Sequence, residues 1–387
     1  MIEPSNGNGS CGLLERLVGA IDPVVAGILD RALDGKELSA EEGTELLKIT
    51  GRELNALMLA ADEVRRRAVG DIVTYVVNRN INFTNVCTTR CEFCAFSTTP
   101  DSPDAFILPL EEIARRAEEA WKMGATEVCI QGGLHPDLDA AFYHEVCRAV
   151  KRVAPDIHVH AFSPMEIVYG AAKSNLSIDE HLKVLKEAGL DSLPGTAAEI
   201  LDDKIRSIIC PKKIDTGTWV KVIKTAHRLG IPTTSTIMYG HVEDAEHRSR
   251  HIALLREIQK ETHGFTEFVP LGFVHQNTPI YRKGLARPGP TGAEDVKVHA
   301  VARLMLNGYI NNVQVSWVKL GPKLAQICLN AGANDFGGTL IEENISKAAG
   351  ATTGQHMTPE QIRRIIKDMR RTPAQRTTIY GHLKIVN

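Results

Sequence analysis

The sequence predicts an α/β protein built as a parallel (β/α)8 barrel of the TIM type, with a helical extension at the amino terminus and a helical cover at the carboxyl terminus. Amphipathic helical segments alternate with short β-rich runs. Glycines such as Gly124, Gly189, Gly230 and Gly264 stand between a helix and the strand that follows. This alternation is typical of parallel βα units, and about eight of them make a barrel of roughly 250 residues. An open, doubly wound sheet is the alternative.

Composition and charge are those of an ordinary globular protein. The chain has 387 residues, of which 43% are hydrophobic and 24% charged, and its formal net charge is −2. This balance gives no electrostatic reason to expect nucleic acid or an anionic membrane as a partner, and no apolar run approaches the ~20 residues of a spanning helix. The eight cysteines fit a reducing compartment better than a disulfide framework, and the polar start of the chain has no signal-peptide core. We therefore expect a cytoplasmic protein.

We expect three segments along the chain. Residues 1–70 form an amino-terminal part, whose Gly/Asn/Ser-rich tip (residues 1–12) is expected to be disordered and whose remainder is a helical extension. Residues 71–340 form the barrel. Residues 341–387 form a helical segment that covers it.

Capping signals support the two helical ends. Ser39 and Glu42 match a capping box, in which the serine accepts from the first amides and the glutamate reaches back. Near the end of the chain, Thr358 caps a helix with Pro359 at its first position, and Gln361 completes a second box.

The predicted strands are short, β-rich runs bounded by turn residues. They cover residues 75–77, 81–86, 127–131, 157–162, 190–193, 231–238, 265–271, 313–317 and 333–336.

Three cysteines follow the second of these strands in the pattern CxxxCxxC. They are Cys87, Cys91 and Cys94. Short spacing lets thiolates converge on one inorganic centre, and three protein ligands leave one position open for chemistry. A 4Fe–4S cluster held this way keeps one iron free for a small molecule. The alternatives are structural zinc, which needs a fourth ligand although the nearest histidine is the distant His135, an electron-transfer cluster with four thiolates, and plain buried cysteines.

The remaining cysteines are interpreted as bystanders in the core or at the surface, because free cysteine is often a small buried hydrophobe. They are Cys11, Cys129, Cys147, Cys210 and Cys328.

Further candidates stand in or after other strands, where a parallel barrel collects its functional groups. Gly132 and Gly133 let a ligand lie against bare backbone, or form a plain tight turn. Glu199 could bond a ribose or an amine, or favour a helix start. His241 could shuttle a proton, or be an ordinary hydrogen-bonded histidine. Glu267 lies within a strand and needs a partner, either substrate or an arginine.

The cysteine spacing resembles the signature of the radical S-adenosylmethionine (SAM) enzymes. Phe93 matches the aromatic residue that lies beside the adenine in that superfamily, and Gly132 and Gly133 resemble its glycine motif for the methionine amino group. Residues 79–96 are similar to the group that contains the FO synthase subunits and the futalosine-pathway enzymes of menaquinone synthesis. Over residues 45–382 the chain looks most like the 4-hydroxyphenyl transferase subunit of FO synthase. Further matching stretches are residues 160–167, 191–201, 238–243, 264–271 and 332–344.

This resemblance implies an enzyme with a 4Fe–4S cluster on the three cysteines, SAM as cofactor, and Glu199 and His241 as candidate catalytic residues. It also implies transfer of the 4-hydroxybenzyl group of L-tyrosine to 5-amino-6-(D-ribitylamino)uracil, with 5′-deoxyadenosine, methionine and 2-iminoacetate as co-products. A companion FO synthase subunit and an electron donor are implied partners. The single CxxxCxxC excludes the fused, two-domain FO synthase. Phe336 and Asn344 fit the dehypoxanthine futalosine cyclase better, so this enzyme or aminofutalosine synthase stays an alternative.

Overall fold

The strands and helices alternate through the central part of the chain, as the sequence predicts. The structure is a computed structural model that describes residues 21–381 and 383–385. The expected disordered tip, the first residues of the helical extension and Cys11 lie outside these residues. The strands are β1 Ile72–Val76, β2 Asn78–Ile81, β3 Glu127–Ile130, β4 His158–Ala161, β5 Thr233–Tyr239, β6 Phe265–Gly272, β7 Asp335–Gly338, β8 Thr372–Arg376 and β9 Leu383–Ile385.

The helices precede, separate and follow these strands. They are α1 Pro23–Leu33, α2 Ala40–Lys48, α3 Arg52–Val69, α4 Leu110–Lys122, α5 Ala140–Val153, α6 Pro164–Lys173, α7 Ile178–Glu187, α8 Asp203–Ile209, α9 Thr216–Arg228, α10 Ala245–Thr262, α11 Pro279–Arg282, α12 Gly292–Leu306, α13 Trp317–Leu329, α14 Ile345–Ala349 and α15 Pro359–Asp368. Both predicted capping boxes are confirmed, at the start of α2 and of α15.

Parallel pairing joins the strands of the central region. β1 lies between β7 and β8, β2–β3–β4 form a second group, and β5 pairs with β6. Isolated parallel bridges link neighbouring groups: Arg79–Ile341, His160–Ser192, Leu193–Thr233, Phe268–Val313 and Gln314–Asp335. The fold is therefore a mixed α/β architecture consistent with a TIM-type barrel, and the carboxyl ends of its parallel strands meet on one side.

Two predicted strands do not form and are replaced by isolated β-bridges. Residues 190–193 and 313–317 contribute only bridging residues, because the chain turns away at once; α13 already begins at Trp317. The strand predicted at 81–86 lies earlier instead, as β2, and the residues after Ile81 bend into the cysteine loop.

The carboxyl-terminal segment contains strands as well as the predicted helices. β8 pairs in parallel with β1 from Ile72 to Tyr75, and β9 pairs antiparallel with β8. The run Thr-Pro-Ala-Gln-Arg of β8 has little intrinsic β preference, so its strand conformation comes from the edge of β1 to which it bonds. This part of the chain is thus bonded to the central sheet, which a purely helical cover would not be.

The amino-terminal helices pack against the later helices of the chain. Leu46 of α2 and Leu57 of α3 are fully buried, and Arg256 of α10 donates to the Leu38 carbonyl oxygen at 2.6 Å. Within residues 21–381 and 383–385, no helix combines the length and the apolar character needed to cross a membrane.

Leu57→Ala should destabilise the protein, because it leaves a cavity where α3 packs on the core. A buried Leu→Ala change costs about 3 kcal/mol of unfolding free energy. Leu59 lies on the same helix but is 73% exposed, so Leu59→Ala is the matched control and should change the unfolding free energy by less than ~0.5 kcal/mol. Denaturant unfolding of both variants checks this, and equal losses would contradict the packing described for α3.

Candidate active site

A cavity of about 410 Å³ opens among the carboxyl ends of the parallel strands and extends between them. Its walls include residues that the sequence singled out: Cys87, Cys91, Cys94, Phe93, Gly132, Gly133, Glu199 and Glu267. The structure therefore brings the cysteine loop, the glycine pair and the two glutamates to one place.

The cysteine loop is fixed by backbone hydrogen bonds at several points. Thr88 N–H donates to the Leu134 carbonyl at 3.1 Å, and Glu92 N–H to the Ile209 carbonyl at 2.9 Å. The Glu92 carbonyl in turn accepts from Ile280 at 2.8 Å, and the Glu92 carboxylate pairs with Lys283 at 2.7 Å. Three separate segments of the chain thus hold this loop in place.

The glycine pair allows the cysteine loop to approach closely. A Cβ on Gly133 would lie 2.1 Å from the carbonyl oxygen of Val86, and one on Gly132 would lie 2.6 Å from the ring of Phe83. The Gly133 amide donates to the Thr84 carbonyl at 2.9 Å. Close packing against the start of the cysteine loop therefore requires Gly133, and the Phe83 ring requires a residue without a Cβ at position 132, whether or not a ligand also lies against them.

The three cysteines are free and face the same cavity. The Cys87 sulfur lies 2.9 Å from the hydroxyl of Thr89. Burial raises the pKa of the Cys91 thiol to about 12. Across residues 21–381 and 383–385, no three His, Cys, Asp or Glu side chains converge as a single metal ion would require.

Glu199 forms an ion pair that the sequence analysis missed. Lys213 Nζ lies 2.5 Å from its carboxylate, and the same ammonium stands 5.2 Å from the centre of the Phe93 ring. Burial opposes ionisation of Glu199, but the charge and hydrogen bond of Lys213 hold its pKa below the ordinary value. The sequence did contain one signal for this pair: a carboxylate directly after a buried strand needs a cation nearby, so a partner for Glu199 could have been expected.

Glu199 is also held by its backbone. Its φ of 46° is in the left-handed region, which costs energy for a residue other than glycine. Its carbonyl accepts from Met238 N–H of β5 at 2.8 Å. The carboxylate is therefore directed into the cavity by fixed contacts on both its side chain and its backbone.

His241 lies in a structural setting. Its side chain is completely buried and is absent from the cavity wall. One ring nitrogen bonds the Met238 carbonyl at 3.0 Å, and the other accepts from Val242 N–H at 2.8 Å beside Glu243. Burial lowers its pKa, so the ring is neutral. His241 therefore lies outside the cavity wall, and the catalytic role expected from its position after β5 stays a prediction.

Glu166 is a second group that the sequence analysis did not select. It is the third residue of α6 and accepts from Ser163 N–H at 2.7 Å within a capping box. Its other oxygen accepts from Gly132 N–H at 3.0 Å, so it ties the glycine pair to the loop after β4. Burial raises the pKa of Glu166 to about 7.

Glu267 has the arginine partner that the sequence left open. Arg376 of β8 lies 3.3 Å from its carboxylate, and Tyr380 and Gln314 donate to the same oxygen at 2.7 and 3.0 Å. Cys129, interpreted as a bystander, also lines the cavity.

Phe336 and Asn344, the two residues that fit the futalosine enzymes better, lie outside the cavity wall. Phe336 is buried in the core, and Asn344 accepts from Gln355 at 2.9 Å; neither lines this cavity.

Two family models together match most of the chain. The radical SAM superfamily matches residues 81–255, and the CofH/MqnC C-terminal region matches residues 262–387. Among solved structures, methylornithine synthase (PylB) has a TM-score of 0.71 at 19% identity, covering 90% of this chain and 97% of that one. The [FeFe]-hydrogenase maturase HydG has a TM-score of 0.72 at 16% identity, covering 95% and 79%. The fold and the cysteine loop together define the class, that of the radical SAM enzymes.

Comparison with relatives of known name assigns the chain to one family within this class. The 5-amino-6-(D-ribitylamino)uracil–L-tyrosine 4-hydroxyphenyl transferase of Methanothermobacter thermautotrophicus is 55% identical over 93% of this chain and 98% of its own length. That of Methanocaldococcus jannaschii is 55% identical over 90% and 98%. The FO synthase of Streptomyces avermitilis is 51% identical over 91% of this chain, which spans 41% of that longer protein. The chain belongs to the family of the FO synthase 4-hydroxyphenyl transferase subunits.

Gly133→Ala should impair cluster incorporation, because the added methyl group would displace Val86 and with it the cysteine loop. After anaerobic reconstitution, iron bound per protein should fall well below the wild-type value while the circular dichroism spectrum stays unchanged. Gly217→Ala is the control, since a Cβ there meets only the Asp215 carboxylate, at 3.8 Å. Full iron loading of Gly133→Ala would show that the loop tolerates the displacement.

Proposed function

We propose that the protein transfers the 4-hydroxybenzyl group of L-tyrosine to 5-amino-6-(D-ribitylamino)uracil in the synthesis of FO, the deazaflavin precursor of coenzyme F420. The observation that carries this proposal is 55% identity over 98% of the length of a transferase with this name. The cavity beside three free cysteines supports it, because it gives a substrate a recessed site next to the cysteine loop.

We also propose that the strands close into a barrel. The support is the series of parallel contacts, in which each group of strands is bridged to the next and Arg79 of β2 is bridged to Ile341 after β7. The barrel would extend over residues 71–340, with the helical extension before it and the segment 341–387 after it.

Cys87, Cys91 and Cys94 would hold a 4Fe–4S cluster. The donor set fits, because three free thiols face one cavity and each would bind a different iron, so they need not converge on one point. The iron without a protein ligand would be free to bind SAM. Phe93, Gly132 and Gly133 would contact the bound SAM. When bound, the cluster and SAM supply the radical that takes a hydrogen atom from tyrosine.

Glu199 is proposed to contact the cofactor or the substrate amine, and Lys213 to position it. Lys213 balances the carboxylate charge at 2.5 Å, which keeps Glu199 ionised and able to accept hydrogen bonds inside a buried cavity. Apolar side chains, among them Phe93 and Met238, form part of the wall near this pair.

A companion FO synthase subunit and an electron donor are the proposed partners. The first is supported by the Streptomyces avermitilis FO synthase, a longer chain of which this protein matches 41%. The cytoplasmic location stays a prediction.

An anaerobic incubation tests the reaction. The reconstituted protein is given reductant, SAM, tyrosine and the ribitylaminouracil, and mass spectrometry is used to detect 5′-deoxyadenosine and the hydroxybenzyl adduct. Both should form only when both substrates are present. Formation of 5′-deoxyadenosine only with dehypoxanthine futalosine would instead assign the chain to menaquinone synthesis.

Cys91→Ala should abolish turnover and the visible absorbance of the cluster, because it removes one of three thiolates. The fold should remain, since the loop is held by backbone hydrogen bonds that do not use this side chain. Circular dichroism and iron analysis check both expectations. A loss of helical signal in this variant would mean that the cysteine is required for folding.

A further inference from the structure

The inner face of the strands is unusually polar. Barrel interiors are normally filled by bulky branched side chains such as Val, Ile and Leu. Here polar groups occupy alternate positions of several strands, as expected of side chains that point to one face. Those that line the cavity include Asn78, Asn80, Glu127, Gln131, His160, Thr234, Thr236, Glu267 and Gln314.

Three of the charged residues in the cavity wall form what we call the polar floor: Glu127, Glu267 and Arg376. Glu127 is the first residue of β3, whereas Gln131 follows the end of that strand. Four residues of strand span about 13 Å. The two carboxyl groups of the polar floor therefore lie toward the amino-terminal ends of β3 and β6, away from the cysteine loop, and Arg376, the last residue of β8, reaches Glu267.

The carboxylates of the polar floor are held in fixed orientations. Glu127 accepts from Asn78 at 2.9 Å with one oxygen and from Thr378 at 2.7 Å with the other. Glu267 uses its Oε2 atom for Arg376, Tyr380 and Gln314. Among the described residues its Oε1 atom has no hydrogen-bond donor, although the side chain faces the cavity.

The charge of this region favours one kind of ligand. Glu127, Glu267 and Asp335 lie around a single guanidinium, that of Arg376, which bonds Asp335 at 2.5 Å and Glu267 at 3.3 Å. Burial raises the pKa of Glu267 to about 7, so most of the negative charge here belongs to Glu127 and Asp335. Carboxylate oxygens accept from O–H and N–H groups, and the excess of negative charge disfavours a ligand carboxylate. A polyhydroxylated, uncharged chain meets both conditions.

We propose that the polar floor binds the ribityl hydroxyls of the uracil substrate, with Glu267 as the main acceptor. This inference rests on the proposed function. Of its two substrates, tyrosine carries a carboxylate and must lie beside the cofactor site to lose a hydrogen atom. The ribitylaminouracil has hydroxyl groups and no carboxylate.

The carboxyl-terminal segment completes this site. Arg376, Thr378 and Tyr380 each bond a carboxylate in or beside the polar floor, and β8 is bonded to β1. The last part of the chain therefore determines which acceptor the cavity accommodates.

The test compares two acceptors on the SAM-loaded, reconstituted protein without reductant. Equilibrium dialysis measures binding of the ribitylaminouracil and of 5-amino-6-(methylamino)uracil, which lacks the polyol chain. The wild type should bind the ribityl compound at least about tenfold more tightly, the value expected for a hydrogen bond to a charged group. Glu267→Gln keeps the size of the side chain and should remove most of that preference. In the separate turnover assay with reductant, this variant should change the KM for tyrosine little.

Two further variants keep the test decisive. Glu127→Gln should also reduce the preference, in case Glu267→Gln folds poorly. Asp295→Asn is the control, because Asp295 is a buried carboxylate that bonds the Tyr239 hydroxyl at 2.6 Å outside the cavity. Thermal unfolding and iron content verify that each variant is intact.

The outcomes separate the inference from the proposed function. A ribityl preference that survives Glu267→Gln and Glu127→Gln while the adduct forms would overturn the inference alone. If these substitutions changed only the KM for tyrosine, the inference would also be overturned, and the polar floor would be assigned to tyrosine binding. Binding of the ribityl compound through the polar floor without any adduct from the wild type would support the site and overturn the transferase reaction.

Discussion

The backbone of the cysteine loop lies against the backbone of Gly132 and Gly133, and the arrangement of the cavity depends on this contact. Hydrogen bonds from Gly133 to Thr84 and from Thr88 to Leu134 join the two segments in both directions. No side chain fits between them, since a Cβ on Gly133 would lie 2.1 Å from the Val86 carbonyl. Because both segments follow parallel neighbouring strands, the contact brings the three thiols to the carboxyl end of the sheet, where the other loops also arrive.

The alternating α/β architecture and the position of the cysteine loop could be predicted from local patterns. Helical periodicity, glycine stops and capping boxes are local, and the two boxes at Ser39 and Thr358 are present as predicted. CxxxCxxC is also a local signal. β8 could not be found this way, because its strand conformation depends on the edge of β1, some 300 residues earlier in the chain.

The partners of the cavity groups were harder to predict, because they are contacts between distant segments. Lys213 reaches Glu199 across 14 positions, and Arg376 reaches Glu267 across 109. His241 has the sequence position of a catalytic residue, at the end of β5, yet its ring is turned into the loop and bonds Met238. Sequence position gives the strand end on which a residue lies, whereas the direction of its side chain is set by packing.

The cavity holds charged pairs at both ends, and their burial costs free energy that apolar residues would not. A buried ion pair is often no more stabilising than a well-packed apolar cluster of the same volume. Tyr75, Trp317 and Phe268 show that this chain packs apolar groups closely wherever the core is purely structural. This cost supports our proposal that Glu199–Lys213 and Glu267–Arg376 serve ligand binding. One pair stands beside Phe93 near the cysteine loop and the other at the polar floor. A substrate bound as we propose would lie between the two pairs.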